Sequence, residues 1–131
     1  PEHESRDQLV NNLDLVATIL DLAGAKPGVP LDGKSLKPLF VDAKAPWRSA
    51  ILIESPVTRF ERASNRYAGV RTTTRKYVKY DGGFEELFDL AADPHELRNM
   101  AHDPAYAGDL LTLRSIGDTL KTCAGEACWV P

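Results

Sequence analysis

The chain has 131 residues, of which 43% are hydrophobic, so it is long and apolar enough to form one ordinary domain with a core. Its formal net charge of -3 at pH 7 argues against non-specific nucleic-acid binding, which needs a broad basic surface. The opening PEHESRDQ has no basic n-region or apolar h-region, and no apolar run is long enough to cross a bilayer. The sequence therefore predicts a soluble chain with no nucleic-acid and no membrane partner.

Residues 9–23, LVNNLDLVATILDLA, are predicted to form a helix, because their apolar residues recur at three- and four-residue spacing. Those residues fall on two faces: Leu13, Val16, Ala17 and Leu20 on one, and Leu15, Ile19 and Leu22 on the other. Asn12 or Asp14 is expected to cap the first turn, and Gly24 to end the helix in the left-handed conformation. The helix is therefore apolar on most sides.

Residues 25–48 are expected to form a connector over the surface, since four prolines and two glycines interrupt them. Within it GVPLDGKS, residues 28–35, matches the phosphate-binding pattern G-x-x-x-x-G-K-[ST]. That loop requires a strand before it and a long helix after it, whereas here a helix precedes it and Pro38 follows closely. Pro30 lacks the backbone N–H that a phosphate would need. We therefore reject nucleotide binding.

The same stretch has a structural interpretation. Asp32 and Gly33 are expected to make a tight turn. Ser35 is expected to cap a short helix that directs apolar side chains inward. These side chains are Leu36, Leu39 and Phe40.

The remainder predicts an antiparallel meander followed by a helix. Short runs rich in β-branched and aromatic residues lie at 50–54, 67–73, 76–81 and 85–90, with a turn at Gly82-Gly83. Asp103-Pro104 then opens a helix with one apolar stripe, formed by Tyr106, Leu110, Leu113, Ile116 or Gly117, and Leu120. The predicted fold class is α+β: a small antiparallel sheet of about four strands packed against the C-terminal helix, preceded by the apolar helix and the connector.

The segment EELFDLAADPHELRNM is predicted to contain a structural turn. Asp93 is expected to cap it with Pro94 at its first position and Glu96 reaching back, and Asn99 to close it in the left-handed conformation. A metal cluster is the weaker alternative, because neighbouring side chains on a turn diverge. Its candidate ligands are Asp89, Asp93, His95, Glu96, His102 and Asp103.

Two stretches carry a resemblance to a known family. Residues 14–40, DLVATILDLAGAKPGVPLDGKSLKPLF, and residues 66–106, which include YAGVRTTTRKYVKY and ELFDLAADPHELRN, resemble the C-terminal end of a sulfatase of the arylsulfatase and glycosaminoglycan-sulfatase family. The resemblance extends from about residue 8 to the final CAGEACW. It implies that residues 1–24 belong to the end of a large α/β catalytic domain, that residues 25–48 are a connector, and that residues 49–131 form a C-terminal subdomain.

The resemblance also implies a reaction centre outside this sequence. Members of the family hydrolyse sulfate esters with calcium and a formylglycine made from a C/S-x-P-x-R motif, and no such motif occurs here. We therefore expect a C-terminal fragment of a sulfatase, inactive alone and without cofactor, whose partners are an N-terminal catalytic domain and a sulfated ester or glycan. A stand-alone module that binds polyanions or sulfated glycans is the alternative.

Substrate contacts are predicted in the loop PVTRFERASNR, because loops on a rigid sheet often carry specificity. Its arginines Arg59, Arg62 and Arg66 suit the recognition of sulfated sugars. A plain solvated surface loop is the competing interpretation.

Cys123 and Cys128 are the only cysteines, and Gly125 gives the loop between them freedom to bring them together. We predict a disulfide, since zinc would need two further ligands at no usual spacing. A disulfide and the family resemblance imply a secreted, periplasmic or lysosome-like location.

Finally, the second apolar face of the helix at residues 9–23 predicts self-association of the isolated chain.

Overall fold

The computed structural model describes residues 5–55 and 66–130. Within these residues the chain forms α1, α2, four strands and α3, with short 3₁₀ turns before and after α3. Their bounds are α1 Leu13–Ala23, α2 Lys37–Val41, β1 Ala50–Ser55, β2 Tyr67–Thr72, β3 Arg75–Tyr80, β4 Glu85–Asp89 and α3 Ala107–Leu120, with 3₁₀ turns at Pro104–Tyr106 and Gly125–Cys128. The predicted α+β class is confirmed.

The chain divides into two compact units. The first contains Pro1–Ile51 together with Cys123–Pro131, and the second contains Leu52–Thr122. The first unit therefore holds α1, the connector and the C-terminal residues, and the second holds most of the sheet together with α3.

In the first unit, α1 buries its polar side. Asp14, Ala17 and Thr18 are its buried residues. The Asp14 carboxylate accepts hydrogen bonds from the backbone N–H groups of Asn11 and Lys34, both at 2.8 Å, and forms an ion pair with the buried Arg48. Buried charges must be paired and hydrogen-bonded in this way to be tolerated. Asp14 is thus the anchor of α1 within this unit.

The ends of α1 follow the sequence prediction only in part. Gly24 ends the helix with φ of 65°, in the left-handed region as expected. The side chain of Asn12 makes no capping hydrogen bond. Instead Asn11 Oδ1 accepts from the N–H of Leu13 at 3.1 Å. The helix therefore begins at Leu13, later than the apolar pattern alone predicts.

The connector packs against α1 through Gly33. A Cβ at Gly33 would lie 2.2 Å from the carbonyl oxygen of Leu13, so glycine is required here by close packing. Ser35 Oγ accepts from the N–H of Lys37 at 3.3 Å at the start of α2. Leu39 is buried as predicted, but the expectation that Phe40 points inward is wrong, because its side chain is 55% exposed. In a five-residue helix, consecutive side chains point about 100° apart, and only one of the two can face the core.

A disulfide between Cys123 and Cys128 closes the loop before the C-terminus, with Cα atoms 5.2 Å apart. The backbone N–H of Gly125 donates to Asp32 Oδ1 at 2.7 Å, and Trp129 Nε1 donates to the Asp32 carbonyl at 2.9 Å. Asp32 thereby fastens the C-terminal residues to the connector.

In the second unit, the sheet is the predicted meander, with strand order β1-β2-β3-β4. Tyr67 pairs with Tyr80 across β2 and β3, and Lys79 pairs with Glu85 across β3 and β4. Leu110, Leu113, Gly117 and Leu120 of the predicted stripe are buried on α3, whereas Tyr106 lies in the preceding 3₁₀ turn and is only half-buried. A Cβ on Gly117 would lie 3.3 Å from Val70 Cγ2, which shows how closely α3 approaches the sheet.

The segment after β4 differs from the predicted turn in its details. Glu96, with φ of 57°, is the left-handed residue, and Asn99 is not. The Asn99 side chain pairs instead with the edge of β4: Oδ1 accepts from Leu87 N at 3.0 Å and Nδ2 donates to Glu85 O at 2.9 Å. The Glu96 carboxylate reaches Lys76 rather than the start of the turn. An exposed strand edge needs hydrogen-bond partners, and this need decides the role of Asn99.

Candidate substrate-binding groove

A groove of about 650 Å³ lies at the end of the sheet where β1 and β3 end and β2 begins. Three of the four strands, β1, β2 and β3, contribute residues from this end, because neighbouring antiparallel strands end and begin at the same edge. The charged and aromatic residues of the lining near the strand ends are Glu54, Arg66, Tyr67, Lys79, Tyr80 and Asp81. Lys121, directly after α3, completes the lining.

Of the three arginines predicted to contact substrate, Arg66 lines this groove. Its Nε donates to Asp81 Oδ2 at 2.6 Å, in an ion pair whose two side chains are both substantially exposed. Arg59 and Arg62 lie outside the described residues. The basic residues that the fold brings to Arg66 are Lys79 and Lys121, which sequence reasoning did not select. The two-residue period of β3 predicts which face of the sheet carries Lys79, but nothing in the sequence places Lys121 beside it.

Aromatic side chains form one wall of the groove. The ring centroids of Tyr67 and Tyr80 lie 5.6 Å apart, with the ring planes tilted by 60°. The Tyr80 hydroxyl donates to Glu86 Oε2 at 3.0 Å. Burial, followed by the nearby Glu86 carboxylate, raises the pKa of Tyr80. Tyr80 therefore stays uncharged at neutral pH, and the two rings offer an apolar surface.

A hydrogen-bonded cluster lies under Lys79. Arg114 donates to Glu85 from both Nε, at 3.0 Å, and Nη2. The Tyr77 hydroxyl donates to Glu85 Oε1 at 2.5 Å. The Arg114 hydrogen bond lowers the pKa of Glu85, and burial raises the pKa of Tyr77 to about 12. Both oxygens of Glu85 therefore already accept hydrogen bonds, three in all.

The described residues contain no group of three or more His, Cys, Asp or Glu side chains that could hold a metal ion. Asp89, a candidate ligand from the sequence, forms an ion pair with Arg75 at 2.8 Å and accepts from the Tyr106 hydroxyl at 3.1 Å. Cys123 and Cys128 are joined to each other. No helix in the described part of the chain is long and apolar enough to cross a membrane.

Within GVPLDGKS, the Lys34 groups that a phosphate would use are occupied by contacts within the protein. The backbone N–H of Lys34 donates to Asp14, and its ammonium donates to the Pro46 carbonyl at 3.1 Å. That ammonium lies 4.8 Å from the ring centroid of Trp47 and 5.4 Å from that of Trp129. These contacts support the rejection of a nucleotide site here.

Comparison with known proteins gives a consistent result. Residues 1–120 match the family model described as N-sulphoglucosamine sulphohydrolase, C-terminal. The chain is 31% identical to N-acetylglucosamine-6-sulfatase of Bos taurus, covering 98% of this chain and 29% of that protein. It is 33% identical to Delta 4,5-hexuronate-2-O-sulfatase of Bacteroides thetaiotaomicron, covering 84% of this chain and 23% of that protein. The chain thus spans less than a third of the length of these relatives.

Solved structures show the same arrangement. A protein solved in complex with its substrate D-glucosamine-2-N,6-O-disulfate superposes with a TM-score of 0.72 at 30% identity, over 82% of this chain and 23% of that one. Phosphonate monoester hydrolase of Agrobacterium radiobacter superposes with a TM-score of 0.76 at 29% identity, over 87% of this chain and 25% of that one. Both likenesses cover the greater part of the present chain.

Proposed function

We propose that this chain, which belongs to the family described as N-sulphoglucosamine sulphohydrolase, C-terminal, forms the C-terminal domain of a sulfuric ester hydrolase that acts on sulfated sugars. The match of residues 1–120 to that family carries the proposal. The substrate class is taken from relatives whose names specify sulfated sugars. Because the chain spans less than a third of those relatives, the reaction itself is assigned to the larger protein.

The polarity of α1 supports an N-terminal catalytic domain as partner. The buried side of this helix is Asp14, Ala17 and Thr18, whereas five large apolar side chains are between 49% and 65% exposed. These are Leu13, Leu15, Val16, Ile19 and Leu22. Full burial of each such side chain stabilises by about 1.5–3 kcal/mol, so a contiguous set favours coverage by protein. The N-terminal domain of the same enzyme is the occupant we propose.

Calcium and formylglycine, which the family resemblance implies, do not fit the residues of this chain. The sequence has no C/S-x-P-x-R motif, and the described residues hold no cluster of metal ligands. We assign both groups to the N-terminal domain and derive no reaction step from them. The disulfide supports the proposal of a secreted, periplasmic or lysosome-like location.

Arg59, Arg62 and Arg66 are proposed to contact the sugar rather than the reacting sulfate. Arg66 supports this idea because its guanidinium lies at the groove and remains exposed. In the intact enzyme, Arg59→Ala is expected to raise KM for a polymeric substrate more than for a small aryl sulfate. Equal effects on both substrates would count against the assignment.

The proposed function is tested by comparing this 131-residue chain with the complete product of its reading frame. Both are assayed for sulfate release from 4-nitrophenyl sulfate and from D-glucosamine-2-N,6-O-disulfate. We expect release by the complete product alone. Turnover by the isolated chain, abolished by calcium chelation, would overturn the assignment of the reaction centre. A complete product that releases no sulfate from either compound would overturn the proposed function.

A further inference from the structure

We propose that the groove at the end of the sheet is itself a binding site for a sulfated sugar residue, held by the ammonium groups of Lys79 and Lys121. This inference takes its ligand class from the proposed function, and its geometry from the described residues alone. The bound residue is one that does not react, because the groove contains none of the groups to which hydrolysis is assigned.

Among the residues that the structure describes, the two lysines are the cations of the groove whose ion-pair contacts are long, at 3.9 Å for Lys79 and 3.8 Å for Lys121. Lys79 Nζ lies 3.9 Å from Glu85 Oε1, but Arg114 and Tyr77 already occupy that carboxylate. Lys121 Nζ lies 3.8 Å from Asp118, whose side chain is 80% exposed and therefore solvated. Ion pairs at such distances are worth little when the ammonium is exposed to solvent, as it is for Lys79 at 51% and Lys121 at 36%. Both ammonium groups can therefore exchange these contacts for an anionic ligand at small cost.

The third cation of the groove is engaged differently. Arg66 is paired with Asp81 at 2.6 Å, and the backbone N–H of Asp81 donates to the Arg66 carbonyl at 3.0 Å. This double contact fixes both residues at the mouth of the groove. The Asp81 carboxylate retains a free acceptor position for a ligand hydroxyl, since a carboxylate offers about four lone-pair sites.

The remaining lining favours a sugar over a simple anion. The rings of Tyr67 and Tyr80 supply an apolar surface against which the C–H face of a sugar ring can pack. Glu54 and Asp81 place carboxylates in the same groove, where they can accept hydrogen bonds from the hydroxyl groups of a sugar, which inorganic sulfate lacks. The groove has a net charge of +1, because its lining contains three cations and two carboxylates: Lys79, Lys121 and Arg66, and Glu54 and Asp81. The ligand that fits is a hydroxylated ring carrying sulfate.

The test uses the 131-residue chain and three probes. D-glucosamine-2-N,6-O-disulfate, unsulfated glucosamine and inorganic sulfate are titrated by calorimetry, with chemical-shift mapping of the groove. We expect the disulfated sugar to bind at least about tenfold more tightly than either control, a difference of 1.4 kcal/mol. Binding of inorganic sulfate with the same affinity would overturn the proposal, since only an unspecific anion contact would remain.

Lys79→Gln and Lys121→Gln are expected to weaken binding of the disulfated sugar, and the double variant to abolish it. Lys44→Gln is the control, because Lys44 is equally a surface lysine but lies outside the groove. Unchanged binding by the double variant would overturn the proposal. Loss of binding in the double variant would support the groove even if the complete product released no sulfate, an outcome that would overturn only the proposed function.

Discussion

Gly33 fills a position at which any side chain would collide with α1. A Cβ there would lie 2.2 Å from the carbonyl oxygen and 2.4 Å from the carbonyl carbon of Leu13. Because both contacts are to backbone, the clash cannot be relieved by a rotamer change. Gly33→Ala is therefore expected to lower the free energy of unfolding by at least about 2 kcal/mol, as measured by urea denaturation.

Gly28→Ala provides the matched control for this prediction. The same motif contains Gly28, but a Cβ at that position would have nothing within 4 Å. We expect its stability to stay within about 0.5 kcal/mol of the parent chain. Equal losses in the two variants would contradict the packing explanation and reopen a shared role for the two glycines.

The carboxylate of Glu85 links the stability of the sheet to pH. The hydrogen bond from Arg114 lowers its pKa below the ordinary value of 4.5. Arg114→Gln is expected to cost about 1 kcal/mol at pH 7, at the low end for a charged hydrogen bond because the arginine is 40% exposed. The measurement is urea denaturation of both proteins between pH 3 and 7.

The direction of the pH dependence follows from the lowered pKa. The unfolded chain takes up the Glu85 proton at a higher pH than the folded chain does, so the stabilisation is present above 4.5 and lost as the pH falls through the folded pKa. The stability difference between Arg114→Gln and the parent should therefore shrink toward pH 3. A difference that remains constant over this range would show that Arg114 acts through packing alone.

At the scale of elements, the approach of α3 to the sheet depends on Gly117. A Cβ there would lie 3.3 Å from Val70 Cγ2, so the Val70 side chain would have to shift slightly for alanine and further for a larger residue. Gly117→Val is expected to destabilise the chain by about 1–3 kcal/mol in thermal or urea unfolding. Gly108→Ala in the same helix, where nothing lies within 4 Å, should be neutral or slightly stabilising. Destabilisation by both variants would contradict this account.

The elements that sequence reasoning predicted correctly are those whose signal is local. The strands alternate with period two, and the α3 stripe recurs at helical spacing, so both follow from neighbouring residues. The roles of Asp14 and Asn99 could not be predicted in this way. Asp14 accepts a hydrogen bond from Lys34 and forms an ion pair with Arg48, and Asn99 bonds to the edge of β4. In each case the partner is distant in sequence.

The candidate groove shows the same limit. Arg66 was predicted from the basic loop in which it stands, because clustering along the sequence is visible without a fold. Lys79 and Lys121 come from different elements and meet only where β3 ends beside the residue after α3. The weak pairing of Lys79 depends on Arg114 holding Glu85, which no local pattern indicates.

At the scale of the whole molecule, α1 has a polarity that suits a larger protein. Its buried side is held by hydrogen bonds: Thr18 Oγ1 accepts from Leu36 N at 2.9 Å and donates to the Asp14 carbonyl at 2.6 Å. Its apolar side is exposed. A helix in a complete globular protein has the opposite arrangement, so the partner we propose for this face must supply an apolar surface.

The isolated chain is accordingly predicted to self-associate through the apolar face of α1. In a dimer with a two-fold axis, the same apolar side chains of α1 would pack against each other in both copies. The stabilisation grows with the apolar area that is removed from water, so several such side chains together favour the dimer. Ile19→Glu is expected to shift the chain toward monomer in sedimentation velocity. Ile19 is a better probe than Leu20, which is half-buried among residues of its own unit.

Leu111→Glu is the matched control, since Leu111 on α3 is 65% exposed, the same fraction as Ile19. If exposure of any large apolar residue promoted association, both variants would become more monomeric. If the α1 face is the interface, Ile19→Glu alone should change the distribution, because Leu111 lies on another helix. A parent chain that remains monomeric at high concentration, while hydrogen exchange shows the α1 amides protected, would contradict self-association. The catalytic domain would then be the one partner proposed to cover this face.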